Sequence, residues 1–188
     1  MLVSVGISTS KRHDAKWKTE IRRFKALRGE VITQCFEIES KIDDAIADLM
    51  LPARSLRSPK WLHQRHADFH QEILSHFDLR WKIETVHTLL LKRFPRSKDK
   101  IKKLYSLLNH IKSLRNDMAH CAVRFEAVRH KEGSKMLRSF LETRRGPIHV
   151  TEALINRYKI NVVEATDMLL RLLMSRRHRG KRIRIEQV

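Results

Sequence analysis

The residues most able to do chemistry in this chain lie close together, at Arg115, Asn116 and His120. An arginine is always charged and can bind a phosphate through two hydrogen bonds. A histidine gives and takes a proton near neutral pH, so it can act as a general acid or base. An amide side chain can orient the histidine or hold a phosphate oxygen. The trio therefore indicates chemistry on a ribose-phosphate linkage.

RNA is the polymer on which these three groups suffice. It carries its own nucleophile, the 2′-hydroxyl, so cleavage needs a base for that proton, positive charge for the developing phosphorane, and alignment. We expect His120 to be the base or the acid, Arg115 to stabilise the equatorial oxygens, and Asn116 to orient the histidine or hold a phosphate oxygen. The reaction needs neither a metal nor a cofactor, and DNA, which lacks the 2′-hydroxyl, resists it.

The trio closes the cleanest helical pattern in the sequence. Apolar residues recur from Ile101 to Met118, mostly at three- and four-residue steps, which predicts a helix with one buried face. At about 100° per residue, Asn116 and His120 share a face, whereas Arg115 points about 140° away from His120. Met118 continues the apolar stripe, so the polar trio flanks the core.

The surrounding stretches predict the bundle that must position the trio. Helices are expected over 13–51 with a break at Gly29, over 59–94, over 97–120 capped by Ser97, and from an N-cap at Thr151 to about 174. Alternating residues over 122–128 and 136–143 indicate a short antiparallel hairpin. The predicted fold class is all-α, an up-and-down bundle of four to five helices with this β-hairpin before the last helix.

The charge of the chain indicates a polyanionic partner. Forty Lys and Arg face 21 Asp and Glu, giving a net charge of +19 and a pI near 10.6, and such a field attracts nucleic acid. We expect residues 1–30 to be a basic N-terminal segment, 31–175 the bundle with a hairpin insertion at about 121–145, and 176–188 a basic tail. The candidate RNA-binding residues of that tail, which could instead be merely solvated, are Arg176, Arg177, Arg179, Lys181 and Arg182.

Other bulk features favour a cytoplasmic protein. The sequence contains no run of about 18 apolar residues, so we expect no membrane span. The first ten residues lack the features of a signal peptide. The two cysteines, Cys35 and Cys121, are far apart and do not show the spacing of a disulfide framework. We therefore expect both to be reduced.

The arrangement of Arg115, Asn116 and His120 resembles the motif of the HEPN family (higher eukaryotes and prokaryotes nucleotide-binding), small all-helical proteins that carry an arginine, a polar residue and then a histidine late in the chain. The resemblance covers about 31–120 and the last helix. It implies a metal-independent endoribonuclease, often a toxin or defence effector, that works as a two-fold dimer with its two motifs facing one cleft. Ala122 stands where some toxin members place a tyrosine, so regulation through that tyrosine is not implied.

Two alternatives stay open beside the nuclease interpretation. At the trio, Asn116 and Asp117 also suit the C-terminal turn of a helix, with His120 capping it and Arg115 paired to Glu39 or another acid. For the whole chain, the alternative is a non-catalytic helical module that binds nucleic acid or protein, or the regulatory half of a toxin–antitoxin or defence system. Some proteins of the HEPN family likewise lack nuclease activity.

Three further groups could carry function. Two of the histidines His63, His66 and His70 could bind zinc on one helix face, but no Cys or Glu completes the set, so we expect no metal site. An acidic group on the first helix could orient the trio, receive another subunit, or be merely solvated; it comprises Glu37, Glu39, Asp43 and Asp44. The three tryptophans, Trp17, Trp61 and Trp81, could stack on nucleic-acid bases. We expect them to pack in the core instead, and most of all Trp81.

Overall fold

The fold is known from a computed structural model that describes residues 11–51, 59–129 and 135–179. Within these residues the chain forms five α-helices, with one three-stranded sheet between the last two. The predicted fold class, a helical bundle with a β insertion before the last helix, is confirmed. The elements are α1 (Lys11–Met50), α2 (Lys60–Asp68), α3 (Leu79–Arg93), α4 (Lys98–His120), β1 (Ala122–Arg129), β2 (Lys135–Thr143), β3 (Gly146–His149) and α5 (Glu152–Arg179).

Helix α1 is one continuous helix of 40 residues. The predicted break at Gly29 was wrong, because Phe24 before the glycine and Val31 after it are buried in the same core. Packing on both sides outweighs the weak helix propensity of a single glycine, about 1 kcal/mol. The helix therefore also runs without interruption across residue 30, where the basic N-terminal segment was expected to end.

The helix expected over 59–94 is divided into separate pieces. After α2 come a π-helical turn at Phe69–Ile73 and a 3-10 turn at Leu74–His76, and α3 begins only at Leu79. The side chain of Asp78 accepts a hydrogen bond from the backbone N–H of Trp81 at 2.7 Å, which makes Asp78 an N-cap. The prediction of one helix was wrong because it did not recognise Asp78 as the N-cap of a new helix.

The caps predicted for the last two helices have different outcomes. Thr151 Oγ1 accepts a hydrogen bond from the Leu154 N–H at 3.1 Å, so the N-cap of α5 is confirmed. Ser97 precedes α4, but its side chain makes no capping hydrogen bond, because a 3-10 turn at Pro95–Ser97 already leads into the helix. The start of α4 was therefore predicted correctly for the wrong reason.

Ion pairs between helices show their relative directions. Arg23 and Glu30 of α1 lie at the levels of the first turns of α5, since Arg23 pairs with Glu152 at 3.3 Å and Lys159 with Glu30 at 2.5 Å, so α1 and α5 run parallel. Helix α4 runs in the opposite direction, and its last turn lies against the N-terminal half of α1. The shared core is built from α1, α3, α4 and α5 through residues such as Val31, Ile38, Ile42, Ile83, Leu90, Leu104, Ile111, Met118, Ile155, Val162 and Leu169.

The sheet covers the end of the bundle at which α4 terminates. Its order is β1-β2-β3, and both neighbouring pairs are antiparallel. The hairpin of β1 and β2 is confirmed. Strand β3 was not predicted, because four residues that begin with Gly146 and Pro147 show no alternation of apolar and polar residues. Gly146 has φ +113°, a conformation that favours glycine. Phe125 of β1 packs against Trp17 of α1, with ring centroids 4.8 Å apart. Strand β1 follows α4 directly, which places the sheet beside the trio.

No helix in the described ranges has the length and apolar character needed to cross a bilayer.

Candidate active site

The trio lies on an unbroken helix. Helix α4 extends through His120, its last residue, and the Cys121 N–H donates to the Asp117 carbonyl at 3.0 Å. Met118 is fully buried, as its place in the apolar stripe predicts. The angles expected from helix geometry therefore hold, with Asn116 and His120 on one side and Arg115 turned toward another.

Arg115 is half-buried and does not pair with an acid in the part of the chain that the structure describes. Its Nη1 donates to Asn116 Oδ1 at 3.0 Å. The suggested partner Glu39 accepts from Lys82 Nζ instead, at 2.8 Å. Arg115 is thus left with a neutral amide as its nearest polar partner, and its charge is available to an anion.

The charge of Arg115 acts on two groups of the neighbouring helices. Burial raises the pKa of the Cys35 thiol on α1 and of the Tyr158 phenol on α5, and the positive charge of Arg115 opposes both rises. Tyr158 donates to the Val31 carbonyl at 3.3 Å. The Arg115 guanidinium therefore lies where α1, α4 and α5 meet, at the edge of the core.

His120 is exposed at the end of α4. Among the residues whose positions are described, none holds its imidazole by a hydrogen bond or an ion pair. The capping role that the sequence also allowed is taken by Arg28 of α1, whose Nη2 donates to the Ala119 carbonyl at 2.7 Å. The His120 ring is consequently accessible to a substrate.

Arg28 is a site residue that the sequence analysis missed. It brings a second guanidinium, half-buried, to the last turn of α4, next to His120. The signal was present in the sequence, since Arg28 follows Phe24 by four residues and precedes Val31 by three, and both of these are core residues. An arginine on the core-facing side of a helix needs an acceptor, and a helix C-terminus supplies one.

A cleft of about 730 Å³ borders the trio between α4 and the turn that joins β2 to β3. Asn116 and Asp117 form part of its wall, and Arg145 reaches it from the turn. The adjacent Arg144 lies close enough to Cys121 to oppose the rise in that thiol's pKa, which burial and Asp117 cause. The β2–β3 turn therefore brings two arginines to the end of α4, which sequence periodicity could not reveal.

The predicted basic tail is only partly described. Helix α5 continues to Arg179, beyond the predicted end near 174, so the backbone of Arg176, Arg177 and Arg179 is helical. Lys181 and Arg182 lie outside the described residues. The expected contacts of this run with RNA stay a prediction.

The three histidines of the possible zinc face are in different environments. His66 is fully buried, His63 is exposed, and His70 Nε2 lies 3.6 Å from Asp44 Oδ1. No set of three potential metal ligands comes together anywhere in the described ranges.

Two acids of the group on α1, Glu39 and Asp43, bind a lysine of α3 rather than the trio. Glu39 and Asp43 hold Lys82 of α3, which is only 4% exposed, with Asp43 Oδ2 at 2.9 Å from Lys82 Nζ. Burial raises the pKa of Asp43 although Lys82 opposes that rise. Burial alone lowers the pKa of Lys82, but its hydrogen bonds to Asp43 and Glu39 outweigh burial and raise it. These groups form a buried ion cluster between α1 and α3.

The expectation that the tryptophans pack in the core was wrong. Trp17, Trp61 and Trp81 are 38%, 60% and 37% exposed. Trp81 stacks on Phe77 with centroids 3.7 Å apart, because the break before α3 brings Phe77 to the surface beside it. Apolar character alone did not show which face of each helix would be covered.

Comparison of the chain with models of known protein families, with curated proteins and with solved structures finds no match.

Proposed function

We propose that this chain is a HEPN-like, metal-independent endoribonuclease that cuts single-stranded RNA. The observation that carries the proposal is the state of Arg115 and His120 at the end of one helix. Arg115 has an amide rather than a carboxylate for its hydrogen-bond partner, and His120 is exposed. A purely structural arginine at the edge of a core is expected to be satisfied by an acid or by backbone carbonyls, as Arg28 is by the Ala119 carbonyl. Within the described residues Arg115 has neither kind of partner.

The reaction is an attack of the 2′-oxygen on the adjacent phosphorus. A base removes the 2′-hydroxyl proton, the bond from phosphorus to the 5′-oxygen breaks, and an acid protonates that oxygen, leaving a 2′,3′-cyclic phosphate and a 5′-hydroxyl. His120 is the base or the acid, and Arg115 stabilises the phosphorane oxygens. Asn116, bonded to Arg115 Nη1, aligns the guanidinium.

A homodimer supplies the second acid–base group. Arg115 and His120 project from the axis of their helix in directions about 140° apart. One protomer therefore presents its arginine and its histidine in different directions. Two protomers that face each other across a cleft place two histidines and two arginines around one linkage. This arrangement, which the resemblance implies, removes the geometric conflict within a single chain.

The cellular role proposed with this activity is that of a cytoplasmic toxin or defence effector. Nuclease activity without sequence specificity must be inhibited in the cell until it is needed. The expected partner is therefore an antitoxin or another protein of a defence system. The net charge of +19 favours RNA as substrate, since it attracts any polyanion at long range.

Cleavage assays on the purified full chain test the proposal. We expect single-stranded RNA to be cut in the presence of EDTA, with 2′,3′-cyclic phosphate ends, while DNA of the same sequence stays intact. His120→Ala should lower the rate about 10²- to 10⁴-fold, the usual contribution of a general acid or base. His63→Ala, which changes an exposed histidine of α2, is the matched control and should cut at the parent's rate.

Equal rates for the parent and His120→Ala remove His120 from the mechanism and overturn the proposal. A parent protein that binds RNA with an affinity that falls steeply with salt, yet leaves it intact, is the non-catalytic binding module instead.

A further inference from the structure

The cleft beside α4 is large enough to hold part of an RNA strand. Its volume of about 730 Å³ lies within the range of about 300–1,000 Å³ typical of small-molecule sites. One wall is the polar side of α4 and the other is formed by the β2–β3 turn and the start of α5. The cleft is thus built between the bundle and the inserted sheet.

The lining of the cleft offers what a nucleotide needs. Arg145 and Lys112 supply positive charge for a phosphate, and Leu154 and Ile148 supply an apolar surface for a base or sugar. Lys112 Nζ donates to Asn109 Oδ1 at 2.8 Å, which uses one of three ammonium donors and fixes the direction of the side chain. Asp117 repels phosphate but can accept a hydrogen bond from a base amino group.

The cleft and the proposed active site share a wall. Asn116 lines the cleft, and its Oδ1 accepts from Arg115 Nη1 at 3.0 Å. A strand whose reacting phosphate lies at Arg115 therefore has its neighbouring nucleotide within reach of Asn116 and the cleft.

We propose that this cleft binds the nucleotide adjacent to the cleaved linkage of single-stranded RNA, with Arg145 and Lys112 contacting its phosphate. The position relative to the cut rests on the proposed nuclease function, whereas the binding itself does not. The cleft then sets affinity and the register of the strand, and His120 carries out the chemistry.

Binding measurements on a protein that cannot turn over separate the two proposals. The probe is a short fluorescein-labelled single-stranded RNA, followed by anisotropy at several salt concentrations with His120→Ala protein. Adding Arg145→Ala should weaken binding about tenfold and lower the slope of log affinity against log salt by about 0.7 for each phosphate that the protein no longer neutralises. Lys112→Ala should act in the same direction.

The matched control is Arg96→Ala, which removes an exposed arginine at the opposite end of α4. It removes the same single positive charge as each cleft variant does. A loss of affinity confined to the cleft variants supports the site even if the parent cuts no RNA. Equal affinities for the Arg145, Lys112 and Arg96 variants overturn the cleft proposal even if the parent cuts RNA, because the loss then reflects total charge alone.

Discussion

At the scale of residues, the partner of Arg115 decides how its charge can be used. A carboxylate at the position of Asn116 would neutralise the guanidinium and compete with a phosphate for its donors. The amide oxygen instead accepts one hydrogen bond at 3.0 Å and carries no charge. Asn116 therefore orients Arg115 while leaving its positive charge for an anion.

Arg28 is expected to position His120 rather than to touch the substrate. Its bond to the Ala119 carbonyl fixes the peptide immediately before His120. Arg28→Ala should lower kcat about tenfold with KM nearly unchanged, because a small displacement of a catalytic group slows chemistry more than binding. Steady-state RNA cleavage kinetics measure this split, and Arg28→Lys, which keeps a donor, should recover part of kcat.

Arg22→Ala is the control for the Arg28 variants, since Arg22 is an exposed arginine of the same helix. A parallel rise in KM for Arg28→Ala and Arg22→Ala contradicts the positioning role and assigns both residues to electrostatic attraction of RNA.

Single residues were predictable where their chemistry is independent of packing. The sequence placed Asn116 and His120 on one side of α4 and turned Arg115 toward another, because helix geometry follows from residue spacing alone. It could not find Arg145, because this residue meets α4 only through a strand pairing and a turn. The alternative that paired Arg115 with Glu39 was wrong, and nothing local in the sequence shows that Lys82 of another helix binds this acid.

At the scale of elements, the ion cluster of Glu39, Asp43 and Lys82 joins α1 to α3. Lys82→Met should destabilise the fold by about 3 kcal/mol, because the two carboxylates then lie partly buried without a cation. For a chain of this size the melting temperature should fall by about 10 °C. Thermal unfolding followed by circular dichroism at neutral pH measures the change.

The pH dependence of the Lys82→Met effect identifies its cause. Without the ammonium, burial holds the pKa of the Asp43 carboxyl still further above its unfolded value, so the folded state binds a proton more tightly than the unfolded chain. The stability of the variant should therefore recover as the pH falls from 7 toward about 5, narrowing the gap to the parent. Lys102→Met, a change of an exposed lysine on α4, should show no such trend, and a constant gap for Lys82→Met contradicts the electrostatic explanation.

Elements were predicted well where one apolar stripe defines them, as in α4 from Ile101 to Met118. They were predicted poorly where a tertiary contact or a cap decides the boundary. Burial of Phe24 and Val31 carries α1 through Gly29, and the Asp78 cap divides the second helical stretch. Strand β3 has only four residues, too few for alternation to show against a Gly-Pro pair.

At the scale of the whole molecule, the sheet and the end of α4 form a surface with several cations. Arg28 arrives from α1, Arg115 from α4, and Arg144 and Arg145 from the β2–β3 turn. Three separate parts of the chain thus direct arginines to one end of the bundle. A polyanion attracted by the net charge of +19 therefore meets a concentration of positive charge at this end.

If two copies of this end face each other, their motifs should complement one another. Arg115→Ala and His120→Ala homodimers each lack one kind of group, but a heterodimer of the two variants keeps one arginine and one histidine in the same cleft. We expect the heterodimer, co-expressed with two different tags and purified through both, to cut RNA faster than either homodimer. Sedimentation establishes that the purified species is a dimer. A heterodimer no faster than the homodimers contradicts a cleft in which the histidine of one chain works with the arginine of the other, even if His120 is catalytic.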